Sequence, residues 1–535
     1  MFFSLAIFIT LASVNSGKPP VWHFVDNTET VGLNFNHQHD TDFDLINALK
    51  FISGLAIGDV NGDGLDDIFA TTGSNLDTLG VNQNPNKLFI ANGDGSYTES
   101  AAIYGINQQD YFSSGSLIAD FDGDGWRDLI IGGVHASEDS TYQRIRLYRN
   151  QMGKGFLDVT QQSGLPQINT YNFSAGDMDA DGDLDLAIAQ WRGGDSQILW
   201  RNNGQGQFTD VTQSWLPGLP HEYTFTPVFA HINPDRHVDF MLISDFGESK
   251  HFLHTGSGFS LQDSTALTDQ NGMGAAIGDY DNDGDFDWFV TSIYRAGAWN
   301  DGNRLYRNDG AGQWTDVTET AGVRNGDWGW GTCFADFNND GLLDLYQVNG
   351  HPIVNYFFDP ARLFINQGDG TFTEQANLRG VDDTGMGKAV LCYDNDQDGD
   401  MDLMINNFDG ASRFFENQLS DENNYVKIKL TGVAGNGDAI GARIHILAGQ
   451  LQQSRQIMAG ANYASGLQLV QHFGLADAEL IERIQISWPG GHTSTHCNQP
   501  VNQLLHFQQP EVIFKNDFEL NQSEQTKVKH TEEIC

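Results

Sequence analysis

One acidic nonapeptide, returning about every 57 residues, constrains this chain more than any other feature. Its pattern is Asp-x-Asp/Asn-x-Asp-Gly-x-x-Asp, followed by a short apolar run. The first copy has Asp59, Asn61, Asp63, Leu65 and Asp67 at positions 1, 3, 5, 7 and 9. The second has Asp120, Asp122, Asp124, Trp126 and Asp128, and the third Asp177, Asp179, Asp181, Asp183 and Asp185. After a gap come Asp279, Asp281, Asp283, Asp285 and Asp287, and then Asp336, Asn338, Asp340, Leu342 and Asp344. The last copy has Asp394, Asp396, Asp398, Asp400 and Asp402. A decayed copy fills the gap, with His231 at position 1, Asn233, Asp235 and Asp239 retained, and Arg236 where glycine belongs.

Side-chain oxygens at positions 1, 3 and 5 of a tight loop converge on one hard cation. Glycine at 6 permits the turn, a backbone carbonyl at 7 adds a ligand, and Asp at 9 completes an oxygen shell of the kind calcium takes. An EF-hand is excluded because it needs Glu at position 12 and flanking helices. Position 12 here is Ala70, Ile131, Ile188, Val290, Gln347 or Ile405, in runs that favour strand. The pattern predicts about six structural calcium ions and an empty fourth loop, with Arg236 supplying charge there instead. Sites with Kd ~0.1 mM in ~1 mM calcium would contribute ~1.4 kcal/mol each, on the order of 8 kcal/mol together.

A second element follows each loop, such as Leu147-Tyr-Arg-Asn150 with Phe156-Leu-Asp-Val-Thr160, and Leu305-Tyr-Arg-Asn308 with Trp314-Thr-Asp-Val-Thr318. Each period therefore reads as four strands, the pattern of a propeller blade. The chain opens with a fourth-strand sequence, Phe24-Val-Asp-Asn-Thr28, and the seventh repeat stops after its third strand at Phe414-Phe-Glu-Asn417. The N-terminal strand is expected to complete the last blade and leave no sheet edge. The expected fold is all-β: a seven-bladed β-propeller over residues 17–418, then a small β-sandwich-like domain over 424–510. A flexible tail is expected over 511–535.

The net charge of −43 excludes nucleic acid and anionic lipid as natural partners. Residues 1–16 read as a signal peptide, although they lack a basic start, and no later stretch is long and apolar enough to span a membrane. The chain is expected to be exported, either extracellular or periplasmic if bacterial, where calcium is abundant. Four cysteines make no disulfide framework. Cys333 and Cys392 precede neighbouring loops with opposite strand parity, which would let them bridge two blades, but buried free thiols are the preferred reading. His492, His496 and Cys497 have zinc-like spacing without a fourth ligand and are read as no site. His37 and His39, beside Asp40, are read as solvated loop residues.

The repeats resemble the FG-GAP/VCBS repeats of integrin α-subunit propellers and of many secreted bacterial proteins. The segment Gly329-Trp-Gly-Thr-Cys-Phe-Ala-Asp336, followed by Asp344-Leu-Tyr-Gln-Val-Asn-Gly-His351, is similar to the cartilage acidic protein family. Asn424-Tyr-Val-Lys-Ile-Lys-Leu430, Asp438-Ala-Ile-Gly-Ala-Arg-Ile444, Gly460-Ala-Asn-Tyr463, His472-Phe-Gly-Leu475 and Trp488-Pro-Gly-Gly491 resemble the ASPIC/UnbV domain. Ser465-Gly466 departs from the family's Ser-Gln. The resemblance covers about residues 20–510 and implies an extracellular calcium-binding protein, but no catalytic residue.

Two function classes remain. In the first, the disc is a binding or adhesion module for an extracellular glycan or protein. In the second it is a calcium-dependent, polysaccharide-active enzyme of lyase type, which needs a base in a cation-lined cleft. No repeat clusters Lys and Arg, so binding is preferred; the sequence leaves the oligomeric state open. The ligand surface is expected at the end of the disc opposite the acidic loops, on Trp191, Arg192, Tyr294, Arg295, Trp299, His351, Tyr356 and Phe358. The competing reading is that these rings plug the propeller mouth.

Overall fold

The computed structural model describes residues 22–39, 50–74, 84–107, 112–134, 144–191, 197–219, 223–247, 249–263, 265–297, 299–419, 423–433 and 435–510. The expected signal peptide, the tail, Asp40 and Arg192 lie outside them.

Seven four-stranded antiparallel sheets form the propeller. Blade 1 is Leu55–Gly58, Asp67–Ala70, Lys87–Ala91 and Tyr97–Glu99. The inner strands of blades 2 to 6 are Phe112–Ala119, Asn172–Gly176, Thr224–Ala230, Ala275–Gly278 and Gly329–Ala335. Blade 7 comprises Gly387–Tyr393, Asp402–Asn407 and Arg413–Gln418, with His23–Asp26 as its outer strand. That outer strand is antiparallel to the third, pairing Phe24 with Asn417, so the first and last blades share one closure. Inner strands pack on the inner strands of adjacent blades and line the axis.

Two repeated side-chain devices explain why the motif residues recur. Both oxygens of the Asp at position 9 accept backbone amides: Asp128 takes Phe121 N at 3.1 Å and Asn150 N at 2.9 Å. The Asn ending the third strand reaches into the preceding blade, as when Asn150 Nδ2 donates to Val60 O at 2.8 Å and Asn202 Nδ2 to Phe121 O at 2.7 Å. Each blade is thereby stapled to the acidic loop before it, and these buried amides and carbonyls are left satisfied.

The C-terminal region forms two sheets. Asn424–Thr431 lies between Gln471–Ala476 and Leu504–Gln508, and the second sheet runs Leu451–Gln456, Arg443–Ala448, Leu480–Ser487, Thr493–Pro500. Their apolar faces meet through Ile428, Ile446, Phe473, Ile484 and Trp488, in one buried cluster that also holds Leu117, Phe121, Phe173 and Leu186 of the propeller. The sandwich shares a core with blades 2 and 3.

Residues 457–466 leave this domain and run along the propeller axis. Ala459 O accepts Ala175 N at 2.8 Å near the acidic end, and Ala464 O accepts Leu55 N at 3.0 Å towards the other. At the tip, Asn462 Oδ1 accepts Thr332 N at 2.8 Å, its Nδ2 donates to Val390 O at 2.7 Å, and its carbonyl accepts Asn172 Nδ2 at 2.7 Å. Small residues make the passage fit: a Cβ on Gly115 would lie 2.4 Å from Tyr171 O and 3.2 Å from Ala464 Cα.

Two expectations are corrected. Cys333 and Cys392 are joined in a disulfide between the inner strands of blades 6 and 7, with Cα atoms 6.5 Å apart, instead of remaining free thiols. Opposite strand parity in adjoining blades turns the two side chains towards each other. His37 is buried rather than solvated, with its ring 5.5 Å from that of Phe408 and Nδ1 accepting Asp409 N at 3.3 Å. The closure between blades 7 and 1 encloses it.

Candidate metal centres

Each full acidic loop closes on its own backbone before any ion is considered. Asp120 Oδ1 and Oδ2 accept Gly123 N and Gly125 N at 2.9 and 2.8 Å, and Asp59 does the same for Gly62 and Gly64. Glycine at position 6 is left-handed in every full loop, from Gly341 at φ 87° to Gly182 at 97°. Position 4 is left-handed as well, including Ala180, Asn282, Asn339 and Gln397, a requirement the sequence pattern did not reveal. The fourth loop has Pro234 and Arg236 at these two places. Proline's ring fixes φ negative, and Arg236 has no positive φ, so this loop cannot take the same path.

Four loops bring three carboxylates together with candidate ligand atoms all within 4.8 Å of one another. They are Asp120, Asp122 and Asp128; Asp177, Asp179 and Asp185; Asp279, Asp281 and Asp287; and Asp394, Asp396 and Asp402. The loops with Asn61 and Asn338 offer an amide oxygen at position 3 in the same frame. Buried oxygens without a well-formed hydrogen bond occur at these positions: Asp122 Oδ1, Asp179 Oδ1, both oxygens of Asp279, and Asp394 Oδ1. Burial pushes Asp128 and Asp185 up to about 8, and Asp67, Asp177, Asp279 and Asp336 to about 7. Buried, mutually repelling oxygens with lone pairs to spare fit a hard divalent cation. Asp239 of the decayed loop keeps the same backbone bonds, to Ile232 N at 3.1 Å and His254 N at 2.8 Å. Position 9 therefore has a structural duty independent of any ion.

The C-terminal domain covers this end of the disc. Lys427 Nζ donates to Asp394 Oδ2 at 2.5 Å with both groups buried, and Arg127 Nε to Asp438 Oδ2 at 2.9 Å. Arg455 is buried close to Asp279 and Asp336, and burial lowers its guanidinium to about 10. Gly474 lies so close that a Cβ there would meet Asp336 Oδ2 at 2.0 Å. At the decayed loop the cation on the backbone is Arg443, whose Nη2 donates to Asp235 O at 2.9 Å; Arg236 instead turns its Nε to His237 Nε2 at 3.4 Å. The expected substitute for calcium thus comes from the other domain. Farther out, Cys497 is disulfide-bonded and so withdrawn from any metal set with His492 and His496.

Three of the expected ligand residues at the opposite end support it from within. Trp191 is buried, stacks on Phe225 and donates through Nε1 to Asp245 Oδ2 at 3.1 Å. His351 is buried against Trp328, ring centroids 4.2 Å apart, and burial lowers it to about 2. Tyr356 is buried under the Arg295 guanidinium, 4.2 Å from its ring centre. Phe51, Trp330 and Tyr463 complete this aromatic layer over the channel tip. Tyr294 is half-buried, the Trp299 side chain lies outside the described residues, and Phe358 stands 80% exposed.

Comparison with known families follows these elements. The FG-GAP-like repeat profile matches residues 59–131, 120–188, 177–242 and 293–346, and the ASPIC and UnbV profile matches 432–513. The chain carries FG-GAP-like repeats and a C-terminal ASPIC/UnbV domain. It is distantly similar to cartilage acidic protein 1 of Xenopus tropicalis, 24% identical over 48% of this chain and 41% of that protein. The Mus musculus protein is 24% identical over 45% and 38%. This chain therefore spans about two fifths of their length. Among solved structures, the chain is similar to BBS1N in complex with ARL6DN at 10% identity and TM-score 0.41, covering 74% of this chain and 97% of that one. The V. cholerae biofilm matrix protein Bap1 aligns at 9% identity and TM-score 0.33, covering 88% and 62%.

Proposed function

We propose that this chain is an exported, calcium-loaded binding module that recognises an extracellular glycan or protein through the end of the disc away from its acidic loops. One observation carries the reading: the C-terminal domain covers most of the acidic end and its segment 457–466 fills the channel, which favours recognition at the opposite end. Six full loops would each hold one calcium, through positions 1, 3, 5 and 9 and the carbonyl at 7. The ions would neutralise carboxylates that otherwise repel one another and fix the loops on which the ASPIC/UnbV domain sits. The Cys333–Cys392 disulfide suits an oxidising compartment. Among the described residues no helix is long and apolar enough to cross a membrane.

On the far end, residues 351–360 form a hydrogen-bonded finger with several exposed apolar side chains. Arg295 donates to Asn355 O and to Asp359 Oδ1, and Tyr356 N donates to Ile353 O at 3.0 Å. This frame holds Val354 at 73% and Phe358 at 80% exposure, with Ile353 and Phe357 beside them. Preordered apolar side chains offer contact area at low entropic cost. The test compares the calcium-loaded chain with Val354→Ser/Phe358→Ser on a glycan array and on immobilised matrix proteins. Binding by the parent that the variant loses at unchanged Tm supports this face; binding that survives the double substitution rejects it.

A further inference from the structure

In a chain of net charge −43, most arginines on this structure face carboxylates, as Arg127, Arg304 and Arg362 do. Among the described residues, Arg236 and Arg443, like Arg379, Arg455 and Arg483, have no carboxylate within 4.0 Å, and these two come together. They lie 207 positions apart in sequence and line the same cleft, of about 140 Å³, between the decayed fourth loop and the turn at 488–491. His237 and His492 line it too. We infer that this cleft is an oxyanion site, which takes the carboxylate or sulfate of an acidic saccharide between Arg236 and Arg443.

The cleft follows from the failure of the fourth loop as a calcium loop. Pro234 and Arg236 deny it the two left-handed positions, and His231 replaces the first carboxylate. Arg443 spends Nη2 on Asp235 O at 2.9 Å and approaches Asn233 O at 3.4 Å, which anchors a planar group that carries five N–H donors. Arg236 extends towards the glycine turn, where a Cβ on Gly491 would stand 3.7 Å from its Cδ. His237 is held by stacking on His254, with ring centroids 4.4 Å apart.

The carboxylates lining the cleft are already engaged. Asp177 receives Asp181 N and Gly182 N, both at 3.1 Å, and Asp235 receives His237 N at 2.8 Å. Asp235 and the buried Asp239 act on Arg443 through space, but no carboxylate lies at ion-pair distance from either guanidinium. Gly490 and Gly491, at φ 81° and 86°, turn the chain without side chains, and nothing lies within 4 Å of a Cβ built on Gly490. One anchored guanidinium and one exposed guanidinium beside the two glycines of the turn suit recognition of one anionic group, because Arg donates in a geometry that matches oxyanions.

This site is separate from the far-end finger, and its test does not depend on that reading. The calcium-loaded full chain is titrated calorimetrically with sodium sulfate and with sodium glucuronate, against sodium chloride at matched ionic strength. A saturable site is expected for at least one of them, and Arg236→Ala, which removes an exposed side chain, should raise Kd roughly tenfold or more. Arg443→Ala should abolish binding, and Arg483→Ala, exposed and outside the cleft, should leave it unchanged. Saturation by sulfate alone assigns a sulfate ester and by glucuronate alone a uronate; either supports the site. Absence of saturable binding to both, or a Kd that Arg236→Ala leaves unaltered, overturns it.

Discussion

Replacing Asn462 with Ala tests whether the channel segment holds the two domains together. The side chain is fully buried and serves two blades, accepting Thr332 N at 2.8 Å and donating to Val390 O at 2.7 Å. Alanine would leave an amide and a carbonyl without partners in the interior, at about 1–3 kcal/mol each. The expected destabilisation is therefore about 2–6 kcal/mol. Unfolding entropy of about 2.1 cal/mol/K per residue, over roughly 440 residues, gives about 0.9 kcal/mol per degree if propeller and sandwich unfold as one unit. Scanning calorimetry in saturating calcium should then show Tm about 2–7 °C lower, with unchanged far-ultraviolet dichroism. Asn462→Asp keeps the acceptor for Thr332 but turns a carboxylate on the Val390 carbonyl, so it should cost at least as much at neutral pH. A Tm within about 1 °C of the parent for Asn462→Ala would refute the reasoning, because the two backbone groups must then find other partners.

Three further outcomes follow from the same geometry. Burial raises the folded pKa of Asp128, Asp185, Asp67 and Asp177 to about 7 or 8, above the value of an unfolded carboxyl. The calcium-free protein should therefore be most stable near pH 4 and lose stability steadily as pH rises from about 4 to about 8, whereas in millimolar calcium the trend should reverse, since acid displaces the ion; melting curves at two pH values with and without chelator check this. Lys427→Ala removes the buried partner of Asp394 and should lower Tm more in chelator than in calcium, because the ion can supply the missing charge; an equal loss in both would contradict that coupling. Peptide mapping of the unreduced protein should recover Cys333 linked to Cys392, and an alkylated thiol at either would exclude the bridge.

The repeat architecture was legible because its determinants are local. A nine-residue loop, a four-strand period and a stray fourth-strand sequence can all be read along the chain. What could not be read are contacts between residues hundreds of positions apart. Gly460-Ala-Asn-Tyr463 stood out as a motif, and its small residues suit a narrow passage, yet nothing near it in sequence points to a channel. Lys427, Arg443 and Arg455 look like scattered cations until the sandwich docks on the acidic loops. Trp191, His351 and Tyr356 look like exposed aromatic anchors, but Phe51 and Tyr463 arrive from elsewhere and bury them in the channel cap. Strand parity correctly aimed Cys333 and Cys392 at each other; the preference for free thiols came from the sparse cysteine count, which carries no geometry.

The number of bound ions decides most directly whether the acidic loops are calcium sites. Metal analysis of the purified chain, dialysed against calcium and freed of loose ions, should find about six calcium ions per molecule, one for each full loop and none for the loop with Pro234 and Arg236. A count of two or fewer would contradict the reading of these loops as calcium sites.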